Sequence, residues 1–193
     1  MFNEHAKSVD ATSTALICGG GQVEGVKGGG VFAIQCFDSE GNLKWEAKSP
    51  NLVVNVGLKD MNDKYFLGSS YTATWYIGIY GAASSNNPAA GDTAASHAGW
   101  TEVTTYSQAA RPAAVFASAS TADPSVITTS GSPAQFSMTG TTTVGGAFLI
   151  SDSTKGGTAG VLFSAADFQA PGDRSVVSGD VINVSYSFSL DAA

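Results

Sequence analysis

Between Ile182 and Leu190 the chain reads INVSYSFSL, and every second residue is apolar. Ile182, Val184, Tyr186, Phe188 and Leu190 alternate with Asn183, Ser185, Ser187 and Ser189. Successive side chains of an extended strand point to opposite faces, so this segment has one apolar and one polar side. It predicts a strand from Val181 to Leu190 with the even-numbered side chains inward. A slip of one residue would bury the polar set instead, so the pattern also fixes the register. A strand of this kind requires a sheet around it and a second layer against its apolar face.

The rest of the chain reads in the same way. VFAIQCF (Val31–Phe37) is an apolar, β-prone run, DSEG (Asp38–Gly41) is a turn signal, and NLKWEA (Asn42–Ala47) alternates with Leu43 and Trp45 on one side. This predicts a hairpin over 31–47, ended by Pro50. TATWYIGIYG (Thr72–Gly81) reads as a buried strand, with Trp75, Tyr76 and Tyr80 in the core. Further strands are expected in AAVFASAS, AQFSMTG, TTVGGAFLIS and AGVLFSA. One short helix is expected over 56–66, with Asn55 as its cap, Leu58, Met61 and Tyr65 on its inner face, and Gly68 at its end. Short strands divided by Gly, Ser, Thr and Pro turns predict an antiparallel β-sandwich, jelly-roll-like, as a single domain over 31–193. There is no internal repeat and no heptad pattern.

Residues 1–30 differ. GGGQVEGVKGGG places seven glycines between Gly19 and Gly30. Glycine-rich backbone loses much entropy on ordering, so the segment reads as a flexible arm that orders by lying along a neighbour. Its apolar residues Leu16, Ile17, Val23 and Val26 are the candidate partner contacts. A phosphate-loop reading fails on position. Gly20 and Gly25 have the spacing, but Val26 stands where Lys is needed and Lys27 is followed by Gly28 rather than Ser or Thr.

Charge excludes one class of function. The 193 residues carry nine Lys and Arg against sixteen Asp and Glu, a net charge of −7, with no basic cluster. A nucleic-acid groove needs concentrated positive charge, so no nucleic-acid partner is expected. Charged residues make up 13% of the chain, against about 25% in ordinary soluble proteins. Cys18 and Cys36 are the only cysteines, in no CxxC pair; they read as isolated buried thiols, with a disulfide between them as the alternative. The start lacks a basic stretch followed by a long apolar run, and no segment reaches the length of a membrane span. The expectation is a protein made in a cytoplasm, without a membrane partner.

Chemistry-bearing residues concentrate in ASHAGWTEVTTYSQAARPA (Ala95–Ala113). Nucleophilic catalysis needs a base beside the nucleophile, and only His5 and His97 supply an imidazole. His97 lies in no GxSxG context and is read as a loop residue bonded to backbone. His97 and Glu102 are five apart, a spacing that suits ligation from neither helix nor strand, so no metal is expected. No two carboxylates are marked as a facing pair for sugar hydrolysis. No cofactor and no enzymatic activity are expected. Trp100, Tyr106, Arg111 and Tyr186 are taken as structural residues, Trp100 packing a loop onto the core and Tyr106 and Arg111 offering polar ends to carbonyls or a carboxylate.

The blocks GNLKWEAKSPNLVVNVGLKDMNDKYF, SSYTATWYIGIYG, SHAGWTEVTTYSQAARPA, TTVGGAFL, GGTAGVLFSAADF and SGDVINVSY, in that order, resemble a family of small structural proteins of tailed bacteriophages. The resemblance spans about Val31 to Leu190. It implies a capsid decoration, or cement, protein with a jelly-roll-like fold. Such a protein would bind the outside of the phage head, bridge neighbouring major capsid subunits, and self-associate as a dimer or trimer. It implies no catalytic residues. The alternative is a tail-fibre or spike module that binds host carbohydrate, which shares the composition.

Overall fold

A computed structural model of the chain describes residues 25–71, 74–82, 88–168 and 172–192. Leu16, Ile17, Cys18, Val23 and His5 lie outside the described residues. The described chain is mainly β, a two-sheet antiparallel sandwich with one helix.

The first sheet is built on β1 (Val26–Phe37) and β11 (Val181–Ala192), paired antiparallel over their whole lengths from Val26↔Ala192 to Phe37↔Val181. β2 (Leu43–Pro50) flanks β1. The other side of β11 is shared by β6 (Ala134–Ser137), which pairs with Val181–Val184, and β5 (Ser125–Thr128), which pairs with Ser187–Leu190. The second sheet has the order β3 (Leu52–Val53), β9 (Leu162–Asp167), β8 (Gly146–Ile150), β4 (Tyr76–Tyr80). β7 (Thr142–Val144) and β10 (Arg174–Val176) form a separate pair.

β1 starts at Val26, five residues before the expected hairpin, so Gly28, Gly29 and Gly30 are strand residues rather than arm. A full-length partner in β11 provides the backbone bonds that their missing side chains cannot. Gly30 is also sterically required. A Cβ there would meet Tyr186 Oη at 2.7 Å and the Ser187 carbonyl at 2.9 Å. The hairpin turn is closed by Asp38, whose carboxylate accepts from the N–H of Glu40 (2.9 Å) and Asn42 (2.8 Å), with Gly41 at φ +86°. Trp45 packs inward against Phe168, whereas Leu43, expected beside it, is half exposed. A bulge between Cys36 and Phe37 breaks the register there.

The main core lies between the sheets. Phe32, Ile34, Cys36, Phe136, Ile182, Val184 and Tyr186 face Ile77, Ile79, Ala147, Leu149, Phe163 and Ala166. The alternation of β11 is thus realised at Ile182, Val184 and Tyr186, all within 1% of full burial. It fails at its end. Phe188 is only partly buried, its ring 5.6 Å from that of Phe163, and Leu190 is 38% exposed. Burial at Cys36 pushes its thiol up to about 11, so it behaves as an inert core residue.

The helix α1 (Asn55–Phe66) has the expected length, but its orientation differs. Its N-cap is Val54, without a side-chain bond, so Asn55 is the first helical residue and not the cap. Gly57 lies against the Phe163 backbone, where a Cβ would come within 2.4 Å of the carbonyl. That contact sets the helix rotation. Met61 packs against the core while Leu58 and Tyr65 are exposed, contrary to the expected face. Gly68, at φ +64°, closes the helix, and the Ser69 N–H turns back to the Asp63 carbonyl (3.2 Å). AAVFASAS (Ala113–Ser120) is not a strand. Its small residues have little to bury and Val115 is exposed. The segment instead lies along β5, with the N–H groups of Ala117 and Ser120 donating to Thr128 and Val126 carbonyls (both 2.9 Å).

Candidate functional site

Two regions gather the residues able to contact other molecules. The first is a cavity of about 310 Å³ on the outer side of the second sheet, lined by His97, Trp100, Glu102, Arg111, Phe148 and Gly157 among others. It is built from the segment Ala95–Ala113. That segment is pinned along β4 by bonds from the Gly81 N–H to the Thr101 carbonyl, from the Val103 N–H to Ile79, and from the Ile77 N–H to Pro112.

Trp100 is 5% exposed and packs on Tyr80 and Phe148, with ring centroids 4.9 and 5.3 Å away. Its indole N–H donates to Asp92 Oδ2 (3.0 Å), which also accepts from the Ala89 N–H (3.0 Å). His97 stacks on the indole at 3.9 Å and its Nδ1–H donates to the Trp100 carbonyl (3.0 Å). The imidazole therefore covers the indole face that a sugar ring would need.

Arg111 and Glu102 form a buried pair, their side chains 2% and 8% exposed. Arg111 donates from Nε to Glu102 Oε1 (2.9 Å) and from Nη2 to Oε2 (2.7 Å), a two-pronged contact. It donates further to the carbonyls of Asp152 (2.9 Å) and Gly157 (2.7 Å), while Glu102 Oε2 accepts from the Gly156 N–H (2.8 Å). Removing either partner would strand a buried charge; together they fasten the Asp152–Gly157 loop to the second sheet. Asp152, beside this pair, has its carboxyl held below the usual range by the Thr154 N–H and hydroxyl, with Arg111 adding to the effect.

Tyr106 departs from expectation. Its hydroxyl, buried, has no hydrogen-bond partner among the described residues. The polar contact is made by its backbone: Lys155 Nζ donates to the carbonyls of Tyr106 (3.0 Å) and Gln108 (2.8 Å) and sits 4.4 Å over the Tyr106 ring. Burial, with Glu102 nearby, raises the Tyr106 phenol well above its ordinary value. Tyr186 lies in the main core, not in this cavity, where its oxygen accepts from Asn51 Nδ2 (2.9 Å). Apart from the Tyr106 hydroxyl, the first region is thus a joint in which Trp100, His97, Glu102 and Arg111 bond to one another, to Asp92 and to backbone. Among the described residues, no group of three His, Cys, Asp or Glu is placed to hold a metal.

The second region is apolar. A cleft of about 220 Å³ opens between α1 and the first sheet, with walls from Met61, Tyr71, Trp75, Phe116, Ile127 and Phe188. Lys64 and Asp60 stand at its helical side, 3.7 Å apart, and Lys64 also donates to the Ser70 carbonyl. Beside it, the end of the helix exposes Tyr65 (83%), Phe66 (76%), Leu67 (77%) and Tyr71 (78%). Tyr65 and Phe66 meet edge to face at 4.9 Å. Four large apolar residues so exposed and so close in sequence form a patch of the kind that marks an interaction surface.

The sequence carried a signal for this patch. YFL (Tyr65–Leu67) is a consecutive apolar run, and a helix cannot turn three consecutive side chains to one face. Of the candidate contact residues, Val26 is described and is 76% exposed at the start of β1. Comparison of the chain with protein-family models, with curated proteins and with solved structures finds no match in any of the three.

Proposed function

We propose that this chain is a virion structural protein, a capsid decoration protein that docks on the outside of a phage head and bridges neighbouring major capsid subunits. The observation that carries this reading is the apolar patch of Tyr65, Phe66, Leu67 and Tyr71 beside an apolar cleft, on a β-domain whose buried polar groups at Trp100 and Arg111 are committed to each other. A docking surface of this kind repeated over a shell gains strength by multivalency. The order of sequence blocks supplies the phage context. An adhesin reading has less support, because His97 covers the one deeply set indole.

The test is the double substitution Tyr65→Asp and Phe66→Asp, assayed by copy number on purified heads and by thermal unfolding of the isolated protein. Both residues are exposed, so unfolding should move by no more than about 0.5 kcal/mol equivalent. Head occupancy should fall at least about tenfold, the effect of losing roughly 1.4 kcal/mol per bound copy. Unchanged occupancy would remove the patch as the docking surface. Recovery of the protein on tails instead of heads would favour the adhesin.

A further inference from the structure

The exposed sheet edges of this fold are treated unequally. The outer side of β4 is bonded by Thr101, Val103, Pro112 and Ala114, and the outer side of β5 by Ala117 and Ser120. β3 is only two residues long. β2 ends its sheet, and among the described residues no strand or loop bonds to its outer side.

Its bonding direction follows from one contact. The Asn51 N–H donates to the Gly30 carbonyl at 2.8 Å, so Asn51 turns its backbone toward β1. Alternation then turns Ala47 and Trp45 toward β1, and turns the N–H and C=O groups of Lys44, Glu46 and Lys48 outward. The same three residues carry the strand's charges. Glu46 and Lys48 lie on the outer face of the sheet beside Gln35, Asn183 and Ser185.

Outward-facing backbone at Lys44, Glu46 and Lys48, unbonded among the described residues, invites pairing, and proteins commonly prevent it with charge on the edge, especially Lys. The pattern Lys-x-Glu-x-Lys does something different. Consider an antiparallel pairing with a second β2 about a two-fold axis. Centred on Glu46, it sets Glu46 against Glu46 and Lys44 against Lys48, all repulsive. Centred on Ala47, it sets Glu46 against Lys48 twice, and both residues have outward-facing backbone groups to complete the ladder. Lys44 is already held by Asp180 at 2.6 Å, whereas Lys48 has no ion pair among the described residues and Glu46 has only a 3.4 Å contact from Gln35. Centring on Trp45 would use the committed Lys44, so the axis at Ala47 is preferred.

We propose that β2 is a self-pairing edge: two copies of this chain join β2 to β2 about a two-fold axis at Ala47, making one continuous sheet across the dimer. Two-fold self-complementarity is the usual geometry of homodimers, and strand addition supplies the backbone bonds. This inference does not rest on the proposed function.

Sedimentation of the full chain over a concentration series tests it. The parent chain should show a monomer–dimer equilibrium. Glu46→Lys makes every register repulsive and should weaken the dimer by roughly tenfold or more, since each cross-strand charge pair changes sign. The double variant Glu46→Lys with Lys48→Glu restores opposite charges across an axis at Ala47 and should restore dimerisation. Ala47→Cys should form an intersubunit disulfide under mild oxidation, because directly opposed residues of a non-bonded pair are about 4.5 Å apart at Cα. Circular dichroism confirms that each variant folds. A parent chain that stays monomeric at every concentration overturns the proposal. So does a dimer indifferent to Glu46→Lys, or a folded double variant that fails to recover.

Discussion

The two sheets of this protein obey different rules. In the first, β11 alternates buried and half-exposed positions from Val181 to Tyr186, and the outer face carries Gln35, Asn183, Ser185 and Ser187. In the second, β8 is buried at all five positions from Gly146 to Ile150. The reason is a second core behind it. Tyr80, Phe148, Ile150, Leu162 and Ala165 leave the outer face and meet Val54, Ala94 and Trp100. One sheet is a wall between core and solvent. The other is a partition between two cores, roofed by the segment that carries His97, Trp100 and Arg111.

The partition is thinned by glycine. Gly78 pairs directly with Phe148, and Gly146 with Tyr80. A Cβ at Gly78 would fall 2.1 Å from the Phe148 ring, and one at Gly146 2.1 Å from the Tyr80 ring. Each aromatic ring therefore occupies the space that a side chain on the glycine opposite it would fill. That arrangement lets Trp100 pack down on both rings. The wall needs no such device, since water accommodates whatever its outer side chains present.

The largest expected difference between the sheets comes from truncating outer-face residues. Phe148→Ala should cost about 3–5 kcal/mol in urea unfolding, by loss of buried area and the cavity left behind. Ser185→Ala, at an outer position of the wall, should stay within about 0.5 kcal/mol. Similar costs at the two sites would mean that the second core adds nothing to stability. A smaller contrast comes from adding bulk. Gly78→Ala should cost about 1–3 kcal/mol by overpacking against Phe148, while Ala33→Val on the wall should be close to neutral. A neutral Gly78→Ala would show that the ring can move aside and that the partition is loosely packed.

The smallest effect concerns acid, and its sign should differ between the sheets. At the wall's hairpin, N–H groups and the amide of Asn42 hold the Asp38 carboxyl below its ordinary value. Its contribution is present above the unfolded carboxyl range and is lost as pH falls through the lower folded value. At the end of β9, burial raises the Asp167 carboxyl, Asp173 adds to this, and the Tyr80 hydroxyl partly offsets it. The folded state then holds that proton to higher pH, so stability falls as pH rises from the ordinary carboxyl range through the raised value. Asp167→Asn should be indistinguishable from the parent at acid pH and slightly more stable near neutrality. Asp38→Asn should be less stable near neutrality and converge with the parent in acid. Urea midpoints at the two pH extremes separate the cases, and a less stable Asp167→Asn at neutral pH would contradict the assigned sign.

The same contrast explains what could be read from the sequence. Alternation requires one wet face, so the wall announced itself in INVSYSFSL and in the hairpin around DSEG. The partition is apolar on both sides, and YIGIY and GAFLI showed burial without showing which residue faces which core. The short strands β3, β5 and β10 bury too few residues to leave a pattern. The rotation of α1 was hidden because it depends on Gly57 meeting the Phe163 backbone, a contact over a hundred residues away in sequence. At the Trp100 cavity, Arg111 reaching a carboxylate and carbonyls was legible from residue type. Its choice of Glu102, Asp152 and Gly157 was set by folding of the loop after β8. Tyr106 misled because its backbone carbonyl and its ring, not its hydroxyl, meet Lys155.

The pairing of β1 with β11 has a consequence for synthesis. These strands form the centre of the wall, yet β1 ends at Phe37 and β11 begins at Val181. A ribosome adds about 5–20 residues per second, so β1 waits on the order of ten seconds for its partner to emerge. In that interval Phe32, Ile34 and Cys36 have only β2 beside them, and a lone hairpin is marginal in water. β5 and β6 wait as well, since both bond to β11. β11, which follows all the strands it bonds, is the one that joins the wall together, so the wall closes late in synthesis while β3, β4, β8 and β9 can pair before it.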